Sequence, residues 1–156
     1  MSGLTAFDSS KTKLEKGVTL LEASAGTGKT YALARIFLRL IAEEDVEVGK
    51  ILTVTFTSAA TEELRDRIRS LLVEAHETLQ EEPKADEDAA FLRLRNEEKT
   101  GVSKDECLRR IKLAITCFDE AIISTIHGFC NRVLTENAFE TRSLFEAQLD
   151  KASKEM

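Results

Sequence analysis

The sequence has no long hydrophobic run and only three cysteines, and both shortages limit what the protein can be. Its apolar stretches are far shorter than the ~20 residues of a membrane-spanning helix, and residues 1–13 lack the apolar core of a signal peptide. Cys107, Cys117 and Cys130 form no Cys-x-x-Cys pair, and neither His76 nor His127 completes a zinc-binding spacing. We therefore expect a cytoplasmic protein, not associated with membranes, whose cysteines are ordinary buried thiols.

The chain also has fewer basic than acidic side chains. The chain carries 22 Lys and Arg against 28 Asp and Glu, for a net charge of −6. Binding of nucleic acid by electrostatics needs clustered Lys and Arg, so the average charge argues against it. The acidic side chains crowd between residues 74 and 98, however. A local path for nucleic acid elsewhere on the protein therefore stays open.

Apolar residues alternate between strand-like and helix-like spacing along the chain, whose 156 residues suit one domain with a sizeable core. The run at 18–21 predicts a strand, and Gly49 separates the following helix from a second, buried strand at 51–56. That first helix should bury residues at three- and four-residue spacing, namely Leu33, Ile36, Phe37, Leu40 and Ile41.

Three more helices and a third strand are predicted further along. Thr57 or Ser58 can cap a helix that ends before the only proline, Pro83, and another helical region ends near Phe118. A strand at 121–126 and a helix at 128–138 follow. This alternation predicts an α/β fold in which helices flank a parallel sheet. The helix before Pro83 should bury Leu64, Ile68, Leu71, Leu72, Ala75 and Leu79.

Residues 23–30 read Ala-Ser-Ala-Gly-Thr-Gly-Lys-Thr, which fits the pattern of a phosphate-binding loop. Successive backbone N–H groups that end at a helix N-terminus form an anion site, and small residues leave the backbone accessible there. Lys29 should reach the β- and γ-phosphates of a nucleotide, and the Thr30 hydroxyl should ligate Mg²⁺. An apolar strand before the loop and an amphipathic helix after it are the context that the motif requires. The sequence therefore predicts a nucleoside triphosphate site.

Hydroxyl side chains stand at the ends of two predicted strands, in Thr55-Phe56-Thr57 and in Thr125-Ile126-His127. The carboxyl edge of a parallel sheet is where ligands bind. Hydroxyls can bond phosphate oxygens, and an aromatic face can stack a base for about 1–3 kcal/mol. Taken alone, Phe56 can equally be a core aromatic and His127 a capping or core histidine. Their paired placement beside a phosphate loop favours contact with nucleic acid.

Three segments also carry a resemblance to a known family. They are the loop at 23–30, Thr-Phe-Thr-Ser-Ala-Ala-Thr-Glu-Glu-Leu-Arg-Asp-Arg-Ile at 55–68, and Thr-Ile-His-Gly-Phe-Cys at 125–130. In this order they resemble motifs I, Ia and Ib of the UvrD-like superfamily 1 DNA helicases. The likeness runs from about residue 17 to residue 150 and is greatest to the RecB-like members, the beta subunits of exodeoxyribonuclease V.

The resemblance implies a RecA-like P-loop NTPase core at 17–73 and 119–150, with a helical insertion at about 74–118. Residues 1–156 would then be the N-terminal part of a first motor domain. Glu63 and Arg67 would form a structural ion pair. ATP and Mg²⁺ would be held by Ala25, Gly26, Thr27, Gly28, Lys29 and Thr30, with Lys29 and Thr30 acting on the phosphates. Single-stranded DNA would contact Thr55, Phe56, Thr57, Thr125 and His127.

For a longer parent protein the resemblance implies an ATP-dependent DNA helicase of recombination and repair. Its partners would be DNA ends and the other subunits of a helicase–nuclease complex, and a nuclease domain would give it exodeoxyribonuclease activity. The acidic Mg²⁺-binding pair and the second motor domain should lie beyond residue 156. Residues 1–20 also hold none of the glutamine that UvrD-like helicases usually use to read adenine. Alone, the chain is expected to bind nucleotide weakly and to hydrolyse it poorly.

Two other functions stay open at the level of sequence. Residues 115–120, Ile-Thr-Cys-Phe-Asp-Glu, have the form of a Walker B strand, and Asp119 and Glu120 would then serve a self-contained P-loop kinase or NTPase. The 3.6-residue spacing of Leu108, Ile111, Ile115 and Phe118 instead favours a helix, with Asp119 opening the next strand. A non-catalytic nucleotide-responsive module is the other alternative.

Overall fold

A computed structural model describes residues 7–14, 16–22 and 28–137 of the chain. Helices and two parallel strands alternate along these ranges, so the α/β prediction is confirmed at that level. A short 3-10 turn precedes each strand, at Val48–Lys50 and at Phe118–Glu120. The elements are α1 Lys29–Ala42, β1 Leu52–Thr55, α2 Ser58–Gln80, α3 Ala89–Leu94, α4 Glu97–Thr100, α5 Lys104–Thr116, β2 Ile122–Thr125 and α6 Ile126–Glu136.

The two strands pair in parallel, with Leu52 opposite Ile122 and Thr55 opposite Thr125. The strand predicted at 18–21 does not form. Its Val18 and Leu20 are 102% and 81% exposed. A strand needs a neighbour to satisfy its backbone groups, and β1 and β2 pair only with each other in the described sheet.

The prediction that the strand at 51–56 is buried is wrong for one of its faces. Leu52 and Val54 are exposed, whereas Thr53 and Thr55 are half-buried. Parallel sheets normally carry helices on both faces. Among the described elements, α2 and α6 contact both strands, and the Leu52–Val54 face remains exposed.

Helices α1, α2 and α5 pack against one another and contain most of the core. The six residues predicted to be the buried face of α2 are its buried residues, because their spacing places them on one stripe of the helix. Ile111 of α5 and Phe118 are also buried. Helix α5 lies in the segment predicted to be an insertion, yet it belongs to this central helical layer.

The buried face of α1 is rotated from the predicted one. Leu33 is exposed, whereas Leu38 and Arg39 are buried. The Arg39 guanidinium donates to both carboxylate oxygens of Glu43, at 2.8 and 3.1 Å. It also donates to the carbonyls of Ser9 and Thr12, at 2.9 and 2.7 Å. An arginine with four hydrogen bonds can therefore occupy the core side of the helix, a position that the hydrophobic spacing did not include in the buried face.

The segment between α2 and α5 is held to the core by arginines. Arg95 donates to the carbonyls of Thr78 and Glu81, at 2.6 and 3.0 Å, and so satisfies carbonyl groups at the C-terminal end of α2. Arg93 donates to both carboxylate oxygens of Glu43, at 2.8 and 2.9 Å. The segment thus follows the surface of the helical layer and shares one buried carboxylate with it.

The three cysteines differ in burial. Cys107 is buried and Cys117 is half-buried, but Cys130 on α6 is exposed, which corrects the prediction of three buried thiols. None of the residues of α6 is buried, so the side chains of this helix, including Cys130, remain accessible to solvent. Within the described ranges, no helix is both long and apolar enough to cross a membrane.

Candidate functional site

The end of the predicted phosphate loop lies at the start of α1. Gly28 precedes the helix in the left-handed region, with φ 82° and ψ 25°, a conformation that favours glycine. Among the described residues, a Cβ placed on Gly28 would meet no atom within 4 Å, so none of them blocks this turn. Lys29 and Thr30 are the first two residues of the helix. The predicted ligands Ala25, Gly26 and Thr27 lie outside the described residues.

The carboxyl ends of β1 and β2 bring two helix N-termini to one edge of the sheet. Thr57 caps α2 by accepting a hydrogen bond from the Ala60 N–H at 3.2 Å. Thr125 caps α6 by accepting one from the Gly128 N–H at 3.0 Å. Because Thr55 is opposite Thr125 in the sheet, these helix starts are neighbours. Helix N-termini carry partial positive charge and free N–H groups, so the edge favours an anion such as a phosphate.

Phe56 and His127 both face solvent at this edge. Phe56 is 88% exposed, which excludes the core role that was left open for it. His127 is exposed, and the cap of its helix is Thr125 instead. The described structure therefore leaves an aromatic ring and an imidazole accessible beside two helix N-termini.

The Thr55 hydroxyl is already bonded within the turn that joins β1 to α2. Its oxygen lies 2.7 Å from the Thr61 hydroxyl and 3.0 Å from the Thr57 carbonyl. Thr61 in turn donates to the Thr57 carbonyl at 3.1 Å. The Thr55 side chain therefore fixes the turn, and a ligand would meet the cap and Phe56 first.

Two positioning residues were not found from the sequence. Thr61 completes the hydroxyl cluster, and its position four residues after the cap was the available signal. Arg65 donates from α2 to the carbonyl of Ile123 in β2 at 2.8 Å. This bond ties the second strand to the helix that follows the first, and no local pattern reveals it because the partners are far apart in the chain.

A second polar cluster, also missed, lies beside the start of α1. The Tyr31 hydroxyl donates to Asp88 at 2.7 Å, and Arg35 lies over the Tyr31 ring, 4.1 Å from its centroid, and donates to Asp88. Burial raises the pKa of Tyr31, and the hydrogen bond to Asp88 adds to that rise. Burial alone would raise the pKa of Asp88, but the Ala90 N–H, Tyr31 and Arg35 together lower it.

The two remaining expectations on site residues have clear outcomes. Arg67 and Glu63 form the expected ion pair, at 3.6 Å with both side chains exposed, a geometry that contributes little to stability. Asp119 and Glu120 lie in the turn before β2, at the amino end of the sheet. The segment before them is helical up to Thr116, so the favoured helical interpretation is confirmed and the Walker B alternative is excluded.

The arrangement defines a class of protein: an α/β chain in which two parallel strands lead into capped helices at one edge of the sheet, the edge at which ligands of such folds bind. The UvrD/REP helicase N-terminal domain is the family whose profile matches, over residues 4–155. The chain belongs to this family.

Curated relatives carry the name RecBCD enzyme subunit RecB. The chain is 42% identical over 142 residues to the subunit of Escherichia coli, covering 86% of this chain and 12% of the relative. It is 38% identical over 151 residues to that of Haemophilus influenzae, covering 89% and 12%. It is 40% identical over 120 residues to that of Mycobacterium tuberculosis, covering 77% and 11%. The chain thus spans about an eighth of the length of the relatives that it matches.

Proposed function

We propose that this chain is the ATP-binding part of a RecB-like DNA helicase that couples ATP hydrolysis to movement on single-stranded DNA. The observation that carries the proposal is the pair of threonine-capped helix starts, with exposed Phe56 between strand and helix, in a member of this helicase family. An aromatic ring beside two positive helix ends suits a strand of alternating bases and phosphates.

ATP and Mg²⁺ belong at the start of α1 in this proposal. The left-handed conformation of Gly28, with no described side chain against it, fits a backbone that approaches phosphates closely. Lys29 would place its charge on the β- and γ-phosphates, and the Thr30 hydroxyl would ligate Mg²⁺. The remaining contacts would come from the backbone of Ala25, Gly26 and Thr27. Bound Mg²⁺ would offset phosphate charge during transfer.

The DNA strand would cross the edge at Thr57 and Thr125, where the cap backbones meet phosphate oxygens and Phe56 stacks a base. His127 would add a donor to a phosphate. Thr55 would act through the turn that it fixes, since its hydroxyl is bonded to Thr61. The acidic composition is no obstacle, because this edge presents the N-termini of α2 and α6 and no described carboxylate caps them.

At the scale of the whole protein, we propose a RecA-like P-loop core at 17–73 and 119–150, interrupted at 74–118, within a longer helicase of DNA repair. The curated relatives are named as subunits of the RecBCD enzyme. By analogy the complete protein would act on DNA ends in the cytoplasm with the other subunits of a helicase–nuclease complex.

Nucleotide binding is tested with a fluorescent ATP analogue and Mg²⁺. The wild-type chain should give a saturable fluorescence change, and Lys29→Ala should weaken binding at least tenfold because the phosphate charge loses its partner. Lys50→Ala is the matched control, since Lys50 is an exposed lysine paired with Glu47 at the other end of β1. Equal binding by wild type and Lys29→Ala would refute the proposed nucleotide site.

DNA binding is tested with labelled oligothymidylate in a fluorescence anisotropy titration. Phe56→Ala should weaken binding by about 1–3 kcal/mol, the usual contribution of one stacked base. Leu92→Ala removes an exposed apolar side chain from α3, away from this edge, and should have no effect. If the two variants behave alike, the strand does not cross this edge.

A further inference from the structure

A cavity of about 190 Å³ lies at the opposite end of the sheet from the candidate site. It opens between the C-terminal ends of α1 and α5 and beside the two turns that precede β1 and β2. The phosphate and DNA contacts proposed above belong to the carboxyl ends of the strands, so this cavity takes no part in them.

The cavity has the size of one side chain and an apolar floor. Pockets for whole small-molecule ligands usually hold about 300–1,000 Å³, whereas an engineered cavity of about 150 Å³ holds one benzene. Buried Ile41, Val48 and Ala114 form the floor. Leu113 stands at the mouth with 53% of its surface exposed, and Cys117 is half-buried beside it.

The mouth of the cavity carries three carboxylates, from Asp45, Glu47 and Glu120. Asp45 pairs with Arg110 at 3.1 Å, and Glu47 pairs with Lys50 at 2.8 Å. Glu120 has no ion pair with any residue of the described ranges. One carboxylate at the mouth therefore has no countercharge.

The cation that lines the cavity, Arg110, is already satisfied. It donates to the carbonyls of Ala42 and Glu43, both at 3.1 Å, and to the Glu106 carboxylate at 2.9 Å. The C-terminal ends of α1 and α5 add partial negative charge at the same place. The net field at the mouth thus attracts a positive charge.

We propose that this cavity is a docking site for a basic polypeptide segment that inserts one arginine side chain. The apolar stem of the arginine would lie on the Ile41–Val48–Ala114 floor, and its guanidinium would pair with Glu120. Apolar neighbours of the arginine would cover exposed Leu113. Such a segment would both pack on the apolar floor and pair with the Glu120 carboxylate. A neutral peptide lacks the charge, and a free polyamine lacks the apolar neighbours.

The test is a heteronuclear NMR titration of the ¹⁵N-labelled chain with the peptide acetyl-Ser-Gly-Leu-Arg-Leu-Gly-Ser-amide. Saturable amide shifts are expected at 45–48 and 113–117, and none at 55–57 or 125–127. The same peptide with norleucine in place of arginine should bind at least threefold more weakly. Equal binding of the two peptides, or the same shifts with spermidine, would overturn the proposal.

Matched variants separate the charge from the apolar floor. Glu120→Gln should weaken the arginine peptide at least threefold and leave the norleucine peptide unchanged, whereas neighbouring Asp119→Asn should change neither. Leu113→Ser, at a side chain that is 53% exposed, should weaken both peptides. Unchanged affinity in Glu120→Gln and Leu113→Ser, or shifts that depend only on protein concentration and so report a second copy of the chain, would contradict the assignment.

Discussion

Arg39, Glu43 and Arg93 place three charges in or beside the core of the helical layer. The side chains of Arg39 and Glu43 are 1% and 4% exposed. Burial alone would raise the pKa of Glu43, but hydrogen bonds from Arg93 and Arg39 outweigh it and lower the pKa below 4.5. The carboxylate therefore stabilises the fold only while it is ionised.

The pH dependence of stability follows from that sign. Since the folded pKa of Glu43 is depressed, its contribution is fully present above pH 4.5 and is lost as the pH falls through the folded value. Glu43→Gln should cost about 3–5 kcal/mol at pH 7, because it leaves two guanidinium groups without their countercharge. It should also flatten the acid limb of a plot of unfolding free energy against pH, measured by urea denaturation. Glu63→Gln removes one partner of an exposed ion pair and should lower the unfolding free energy by less than about 1 kcal/mol. A similar loss of stability in Glu43→Gln and Glu63→Gln would contradict the buried network.

Thiol reactivity provides a second test at the scale of single residues. Burial raises the pKa of Cys107 to about 11, and its S–H donates to the Ala42 carbonyl with 3.6 Å between sulfur and oxygen. Reagents therefore reach this thiol poorly, and little of it is ionised to the reactive thiolate. With a disulfide reagent at pH 8, exposed Cys130 should react first, half-buried Cys117 more slowly, and Cys107 only on unfolding. Cys130→Ser should remove the fast phase alone. Fast reaction of Cys107, which lies within α5, would contradict its burial in the folded chain.

At the scale of elements, hydrophobic spacing predicted α2 fully and α1 only in part. In α2 the stripe that faces the core is apolar throughout, so periodicity is sufficient. In α1 a charged residue, Arg39, lies on the core side because Glu43, Ser9 and Thr12 satisfy it. Partners of that kind are set by the tertiary structure and leave no trace in local spacing.

In the candidate site, too, local features could be predicted from the sequence and contacts between distant residues could not. The caps Thr57 and Thr125 could be predicted, because a threonine between a strand and a helix satisfies a local N–H group. The Tyr31–Asp88 hydrogen bond and the Arg65–Ile123 bond could not, since 57 and 58 residues separate their partners. The strand predicted at 18–21 failed for a related reason: apolar residues favour a strand, but only a neighbouring strand completes one.

The cap of α6 can be tested by removing its oxygen. Thr125→Ala should lower the unfolding free energy by about 1 kcal/mol, because the Gly128 N–H loses its acceptor. Thr125→Ser keeps the oxygen and should retain most of the stability. Thr135→Ala removes a hydroxyl that bonds within the same helix at the Asn131 carbonyl and should cost less. The three variants are compared by thermal denaturation; equal losses for Thr125→Ala and Thr125→Ser would argue against the cap.

At the scale of the whole molecule, one face of the two-stranded sheet is apolar and exposed. Leu52, Val54 and Phe56 recur at every second position and are all exposed, so they share one apolar face. Parallel sheets bury both faces, and an accessible apolar face of this kind marks a contact surface. The 156-residue chain should therefore associate with itself through this face at high concentration.

Sedimentation velocity over a hundredfold range of concentration measures that association. The sedimentation coefficient of the wild-type chain should rise with concentration, because pairing of two such faces removes apolar surface from water. Val54→Lys places a charge in the centre of the face and should keep the chain monomeric. Leu92→Lys adds the same charge on α3, at an exposed leucine outside the sheet, and should associate as the wild type does. Charge repulsion alone would affect both lysine variants equally, so a difference between them locates the contact on the sheet. A wild-type chain that stays monomeric at every concentration would show that the Leu52–Val54 face is not a contact surface.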